Sequence, residues 1–410
     1  MSDQARPGAK GLEMEEALRA YFFEAGYFVV RGVPFQLDGD DVTDIDLWLY
    51  ERPAAATRRR IIVDVKNKKS PKAAERIIWV KGLQAALGAD AAIVATTDKR
   101  PSSKRLAKNL GIMLFDGDAV AKVSSARRLS QHDGLTSAEL DNAIKKVDES
   151  RRSVDWRVTV NEARASLLNG LGAHSGNRSL QAFRFFAHEA ISAHPGSQQA
   201  ELATRLAYST AALAMISLDF IIADNAFRSV DDRRAAILNS VRFGQAEVIP
   251  QLATVTAAVG LARKYAVNGA AIARQIELGF GADAEGIPAD IIADFVARVS
   301  SGDAMFQIAR ELESASVSRA LHGFDALSST AKSALGAFLD FGDLSREGFA
   351  TSWKSRSTSA RSGKSDGLSL STSLPAAKDH AVATKTNEIQ PLLPMDGDPN
   401  MTDPAGKIDD

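Results

Sequence analysis

The chain contains no cysteine. Disulfides, thiolate metal sites, iron–sulfur clusters and cysteine nucleophiles are thereby excluded. Histidine is scarce, with six residues at 132, 174, 188, 194, 322 and 380. His188 and His194 stand six apart, which does not set them on one helical face as zinc ligands. No GxxxxGK[ST] run occurs, so no P-loop ATPase is indicated. The glycines of GLGAHSGNR at 170–178 follow no strand and read as a loop, and no Ser-His-Asp motif is visible. No excess of either charge exists: 50 Lys and Arg face 51 Asp and Glu, a net charge of -1. With a pI of about 6.6, contact with a polyanion has to come from a local patch. The N-terminus has no apolar core of signal-peptide type. One apolar run, 206–223, approaches bilayer length, but Asp219 interrupts it and Arg205 and Asp224 flank it. A charge at a bilayer centre is costly, so a buried core helix in a cytoplasmic protein with no membrane partner is expected.

What remains is a globular composition, 45% hydrophobic and 25% charged over 410 residues, enough for two or three domains. Three zones stand out. Residues 10–123 alternate helical and strand-like patterns. Residues 135–350 are rich in Ala, Leu, Ile and Arg with helical periodicity: Leu180, Phe183, Phe186, Ala187 and Ile191 make one stripe, and Ile291, Ile292, Phe295 and Val299 another. Residues 351–410, Ser-rich and then polar with Pro and Gly, predict a disordered tail. Between the first two zones, SSARRLSQHDG reads as a polar linker. Domains at 1–125 and 135–350 follow, the first expected to fold alone.

Within the first zone an amphipathic helix over 11–25 stops at Gly26. Strands follow at 27–37, 44–50 and 60–67, the last two separated by a loop. A helix over 71–87 stops at Gly88. Then come a strand at 91–97, a short helix at 102–110 stopped by Gly111, and a strand at 112–115. The order αβββαβαβ implies a mixed sheet with helices on both faces.

Two of these strands carry charge where apolar residues would be ordinary. In IIVDVKNKK, period-2 alternation places Asp64 and Lys66 on the face of Ile62. In TDIDLWLY, it places Asp44 and Asp46 on the face of Trp48. If the strands are neighbours, Asp46, Asp64 and Lys66 converge. Buried carboxylates are costly unless paired or bound to a cation, and two beside a lysine make a hard-oxygen site suited to Mg²⁺. The bland alternative is a same-strand ion pair of Asp64 and Lys66 at a sheet edge.

An Asp on one strand followed by Asp-x-Lys on the next resembles the PD-(D/E)xK nuclease superfamily. GLEMEEALRAYFFEAGYFVV, DIDLWL, IIVDVKNKK, GADAAIVATT and LAKNLGIMLFDGDAV are together similar to the catalytic domain of Mrr-type restriction endonucleases and to archaeal Holliday-junction resolvases, over residues 11–123. The resemblance implies a restriction-endonuclease-like α/β core, followed here by an all-α accessory domain and the tail. It implies that Asp46 is the first metal-binding Asp, Asp64 the acidic residue of the second motif, and Lys66 the motif lysine. Glu15 matches the first-helix glutamate that some members add to the metal shell, with Glu13 and Glu16 as neighbouring alternatives. Asp44 shares the face of Asp46 and is a candidate extra ligand. The family often places a Gln or Lys on the following helix, for which Lys81 and Gln84 are candidates.

The implied chemistry is phosphodiester hydrolysis. Mg²⁺, with Mn²⁺ able to substitute, is held by Asp46, Asp64 and the Val65 carbonyl, and Lys66 orients the water or stabilises the developing charge. From Arg58 to Lys108, 14 Lys or Arg meet four Asp or Glu. Lys68, Lys69 and Lys72, directly after the motif, are expected to contact phosphates of duplex DNA. The reading is a Mg²⁺-dependent DNA endonuclease, with restriction of foreign DNA as its setting. The other reading is a DNA- or protein-binding module that keeps a nuclease-like fold without cleavage. The helical zone has three roles open to it: choosing the target, binding a partner protein, or forming a homodimer.

Overall fold

The computed structural model describes residues 9–37, 40–67, 72–129, 134–150, 155–244 and 249–353. The first part runs α1 (Ala9–Glu24), β1 (Phe28–Leu37), β2 (Asp40–Ala54), β3 (Thr57–Lys66), α2 (Ala73–Ala86), β4 (Ala91–Thr96), α3 (Pro101–Asn109), β5 (Met113–Phe115) and α4 (Gly117–Leu129). The strand order is β1-β2-β3-β4-β5. The first three strands are antiparallel, and β3-β4 and β4-β5 are parallel. The mixed αβββαβαβ sheet expected from the sequence is present. The glycine stops adopt the left-handed region, as at Gly26 (φ 99°) and Gly111 (φ 67°), where a side chain would be strained.

Three local expectations need correction. Of the expected loop at 52–59 only Ala55 and Ala56 form a turn: β2 and β3 run on to Ala54 and Thr57, because ladder pairing outweighs the low β-propensity of the Ala run. The segment SSARRL belongs to α4, whose Val120 and Val123 are buried against α1 and the sheet. In GLGAHSGNR only the start is a turn, and the helix resumes at Ala173. Gly172 (φ 124°) makes the turn there.

The two sheet faces pack differently. Leu47, Leu49, Ile61, Val63 and Val65 meet Met14, Leu18 and Phe22 of α1. Trp48, Tyr50, Ile62 and Val94 face α2 and a core that continues without interruption into the helical zone. That zone begins with α5 (Ser137–Ser150), α6 (Trp156–Gly170), α7 (Ala173–Ser192) and α8 (Gln198–Ala223). Helices then continue to Arg346–Ser352, so Thr351 and Ser352 close a helix rather than open a tail. The expected tail from 354 on lies outside the described residues. The described residues up to 353 fall in one compact unit. The change from mixed to all-helical pattern near 125–135 is therefore a change of element type, not a break in packing.

Helix α8 is long and apolar enough to cross a membrane by length and composition, with a mean hydropathy of 1.8. Yet 89% of that window is buried inside the fold. Its charges are spent internally. Asp219 accepts from the Tyr50 hydroxyl at 2.7 Å and from Arg58 Nη2 at 2.9 Å, tying β2 and β3 to α8.

A second buried acid joins the same parts. Glu313, on the helix Ala304–Val317, accepts from the Val29 backbone N–H at 3.4 Å and from Arg19 Nη2 at 3.5 Å. Burial pushes its carboxyl up to about 7, against the pull of Arg19, the Val29 N–H and Arg310. The folded state thus holds this proton to higher pH than the unfolded chain does. Stability falls as pH rises toward and through about 7. Glu313→Gln is expected to flatten the loss of stability between pH 5 and 8 by up to about 3 kcal/mol, measured by urea melts. Equal pH slopes in the two proteins would contradict the assignment.

Candidate active site

The ladder between β2 and β3 runs from the hairpin end to the pair Leu47↔Val63. Past that point the strands part. Residues 40–45 of β2 pair with β1, and Asp64, Val65 and Lys66 pair with Val94, Ala95 and Thr96 of β4. The fork between them is where the motif residues stand. A buried backbone N–H at such a fork loses its ladder acceptor and needs another. Asp46 supplies it: its Oδ2 accepts from the Val65 N–H at 2.6 Å. Asp44, Asp46 and Asp64 line one small cavity of about 10 Å³, closed by Trp79, Val80 and Leu83 of α2.

Asp64 is 9% exposed, and Arg76 of α2 grips it with both arms of the guanidinium; Arg76 Nε lies 3.0 Å from Asp64 Oδ2. Burial lowers the Arg76 pKa, and the charge of Asp46 opposes this. Burial raises the Asp46 pKa, opposed by the Val65 N–H, Lys66, Arg76 and Arg31.

Glu15 comes to the fork from α1. Burial pushes it up to about 6; Arg31 and Lys66 counter this, while Asp46 and Glu16 add to it. Its Oε2 is 3.3 Å from Arg31 Nε. The two neighbouring acids are elsewhere. Glu13 is exposed. Glu16 is buried, bound by Arg31 and accepting from the Ser137 N–H at 2.9 Å at the start of α5. Asp46 and Asp64 thus line one cavity, and the charges of Asp46 and Lys66 act on Glu15. Among the described residues Lys66 makes no ion pair.

The expected DNA contacts are less gathered. Lys68 and Lys69 lie outside the described residues. Lys72 precedes α2 and pairs with exposed Glu75 at 3.1 Å. Lys81 donates to Gln84 Oε1 at 3.1 Å, and Gln84 donates to the Ala89 carbonyl at 3.2 Å. These two hold the end of α2 rather than face the carboxylates. The basic excess of 58–108 is also smaller in space than in sequence. Arg58 is spent on Asp219, Arg59 on Glu51, Arg60 on Asp90, Lys99 on Asp118, Arg100 on Asp98 and Lys104 on Asp116. Four of those acids lie outside the counted segment, so a segment count could not see them.

Arg76 and Arg31 are the functional neighbours that sequence reasoning missed. Neither falls at a motif position. The one available signal was Arg76 near the start of the helix that follows the Asp-x-Lys strand.

The donor set suits a hard divalent cation in kind: carboxylate oxygens, partly stripped of water, at a point where the backbone is already fixed. Among the described residues no three acidic or histidine side chains are gathered closely enough to hold a metal as they stand. The Asp64 carboxylate faces a guanidinium instead, so a cation there requires Arg76 to turn away.

Residues 8–124 match the Mrr_cat family model, described as restriction endonuclease. No curated protein and no solved structure matches the chain. The matched segment contains the whole sheet, α1 and the fork. It supports a restriction-endonuclease-like nuclease core, in agreement with the resemblance read from the motifs.

Proposed function

We propose that this chain is a divalent-metal-dependent endonuclease that hydrolyses phosphodiester bonds of double-stranded DNA, in restriction of foreign DNA. The observation that carries the reading is the fork. Two desolvated carboxylates from adjacent strands meet where the ladder opens, with Lys66 beside them and free of an ion pair among the described residues. The family match over 8–124 supports DNA as the substrate class. Asp46, Asp64 and the Val65 carbonyl would hold Mg²⁺ or Mn²⁺, with Glu15 at the edge. When bound, the metal supplies Lewis-acid polarisation of the scissile phosphate and lowers the pKa of a bound water.

The chain's own residues do the rest. The Val65 N–H fixes the Asp46 carboxylate before any substrate arrives, so little reorganisation is left for the reaction. Lys66 offers the group that orients the attacking water and stabilises negative charge on the phosphorus centre. Arg76 balances the charge of Asp64 while the cation is absent. Arg76→Ala is therefore expected to lower the Mg²⁺ concentration for half-maximal cleavage several-fold, read from a metal titration of the cleavage rate. A half-saturating concentration that stays the same or rises would show that Arg76 does not compete with the metal.

The Asp64–Arg76 pair also favours a second reading, a DNA-binding module that keeps the fold without cleavage. Purified full-length chain incubated with supercoiled plasmid separates the two. The nuclease nicks or linearises the plasmid with Mg²⁺ and leaves it intact in EDTA. Intact plasmid under both conditions favours the binding module.

A further inference from the structure

A cavity of about 50 Å³ lies where α1 and β1 meet α5, α6, α8 and the helix Ala304–Val317. Arg19, Arg31, Arg164, Ser209 and Glu313 line it, so three arginines and a single carboxylic acid contribute to its wall. Two of the three are engaged. Arg31 holds Glu15 and Glu16, and Arg19 reaches Glu313 over a long 3.5 Å.

Arg164 differs. Among the described residues it makes no hydrogen bond or ion pair, and it stays part exposed on the cavity wall. Burial lowers its pKa; the charge of exposed Asp141 opposes this, while Arg31 and Arg19 add to it. A guanidinium carries five donors and stays charged, so a part-exposed one on a cavity wall with no protein acceptor is open to an anion from solvent. The buried arginines, by contrast, find their acceptors within the protein. Arg58 binds Asp219, Arg205 binds Glu201 and the Ser316 carbonyl, and Arg233 binds Ser300 Oγ and the Arg228 carbonyl.

We propose that this cavity binds one small tetrahedral oxyanion of the phosphate class, held by Arg164 and Arg19 with the Ser209 hydroxyl. Guanidinium donors match phosphate oxygens in geometry and charge. At about 50 Å³ the space holds a few water volumes, enough for one such anion and too little for a nucleoside. The site is separate from the β2/β3 fork. Arg31, which lines the cavity and also holds Glu15, is the residue the two share.

The test is binding, not cleavage. The intact chain is melted in EDTA at fixed ionic strength, with inorganic phosphate replacing chloride, so that no divalent metal in the fork contributes. The wild type is expected to shift upward by several degrees at phosphate about 100-fold above its Kd. Arg164→Met is expected to lose the phosphate response. A parallel arm uses thymidine 5′-phosphate: a shift with phosphate alone marks a free anion, and a shift with both marks a terminal phosphate group. If Arg164→Met does not fold, calorimetry on the wild type decides, with one saturable phosphate site per chain expected. No saturable binding, or an equal shift in wild type and Arg164→Met, overturns the proposal.

Discussion

Replacing Asp64 with Ala is expected to reduce DNA cleavage by about 10²-fold or more while leaving the fold intact. The variant removes an oxygen ligand and with it transition-state stabilisation of several kcal/mol. The fold should tolerate it because Asp64 stands at the mouth of the fork, past the last registered β2/β3 pair. Arg76, about a third exposed at its side chain, can turn to solvent once its partner is gone. The check is plasmid cleavage in Mg²⁺ beside a thermal melt of the same preparation. Cleavage at the wild-type rate removes Asp64 from the site. A collapsed melt would instead make it a structural residue.

A larger effect on stability is expected from Asp219→Ala. Exposed pairs such as Lys145–Glu149 contribute about 0–1 kcal/mol each, because water screens both charges. Asp219 is 1% exposed, and the Arg58 side chain beside it is equally buried. Deleting the carboxylate strands a guanidinium and a phenol in the core, at an expected cost of about 3–5 kcal/mol. Burial, reinforced by the charge of Asp219, holds the Tyr50 hydroxyl well above the ordinary phenol range, so it stays a donor that needs this acceptor. Urea denaturation measures the loss. The double variant Arg58→Met with Asp219→Leu should recover part of it, since the stranded Arg58 charge is then gone while Arg52, whose Nε lies 3.8 Å from Asp219, still loses its ion pair. A loss below about 1 kcal/mol in the single variant would mean that water reaches the network.

These two residues mark what could and could not be read in advance. Asp46, Asp64 and Lys66 were legible because strand alternation is local: a carboxylate at every second position of an apolar run is visible without knowing the neighbours. The order of the eight elements from α1 to β5 was legible for the same reason, while the length of the hairpin and the helix α4 after β5 were not. Asp219 was legible only as a flaw in an apolar helix. Its partner Tyr50 lies 169 residues away, and no periodicity reports a contact of that range. The same limit hid the continuous core, since a 3.6-residue stripe shows that a helix buries a face but not what covers it. Arg76 and Arg31 went unread because a surface arginine and one gripping a carboxylate look alike in sequence.

The central claim is that Asp46 and Asp64 hold the metal that cleaves DNA, with Arg76 standing in for it. A crystal of the full-length chain soaked in Mn²⁺ tests this most directly, through anomalous scattering at the manganese edge. The account predicts a peak between the Asp46 and Asp64 carboxylates and the Val65 carbonyl, with Arg76 turned off Asp64. No peak in the fork and Arg76 still on Asp64, in protein that cleaves plasmid with Mn²⁺, would contradict it.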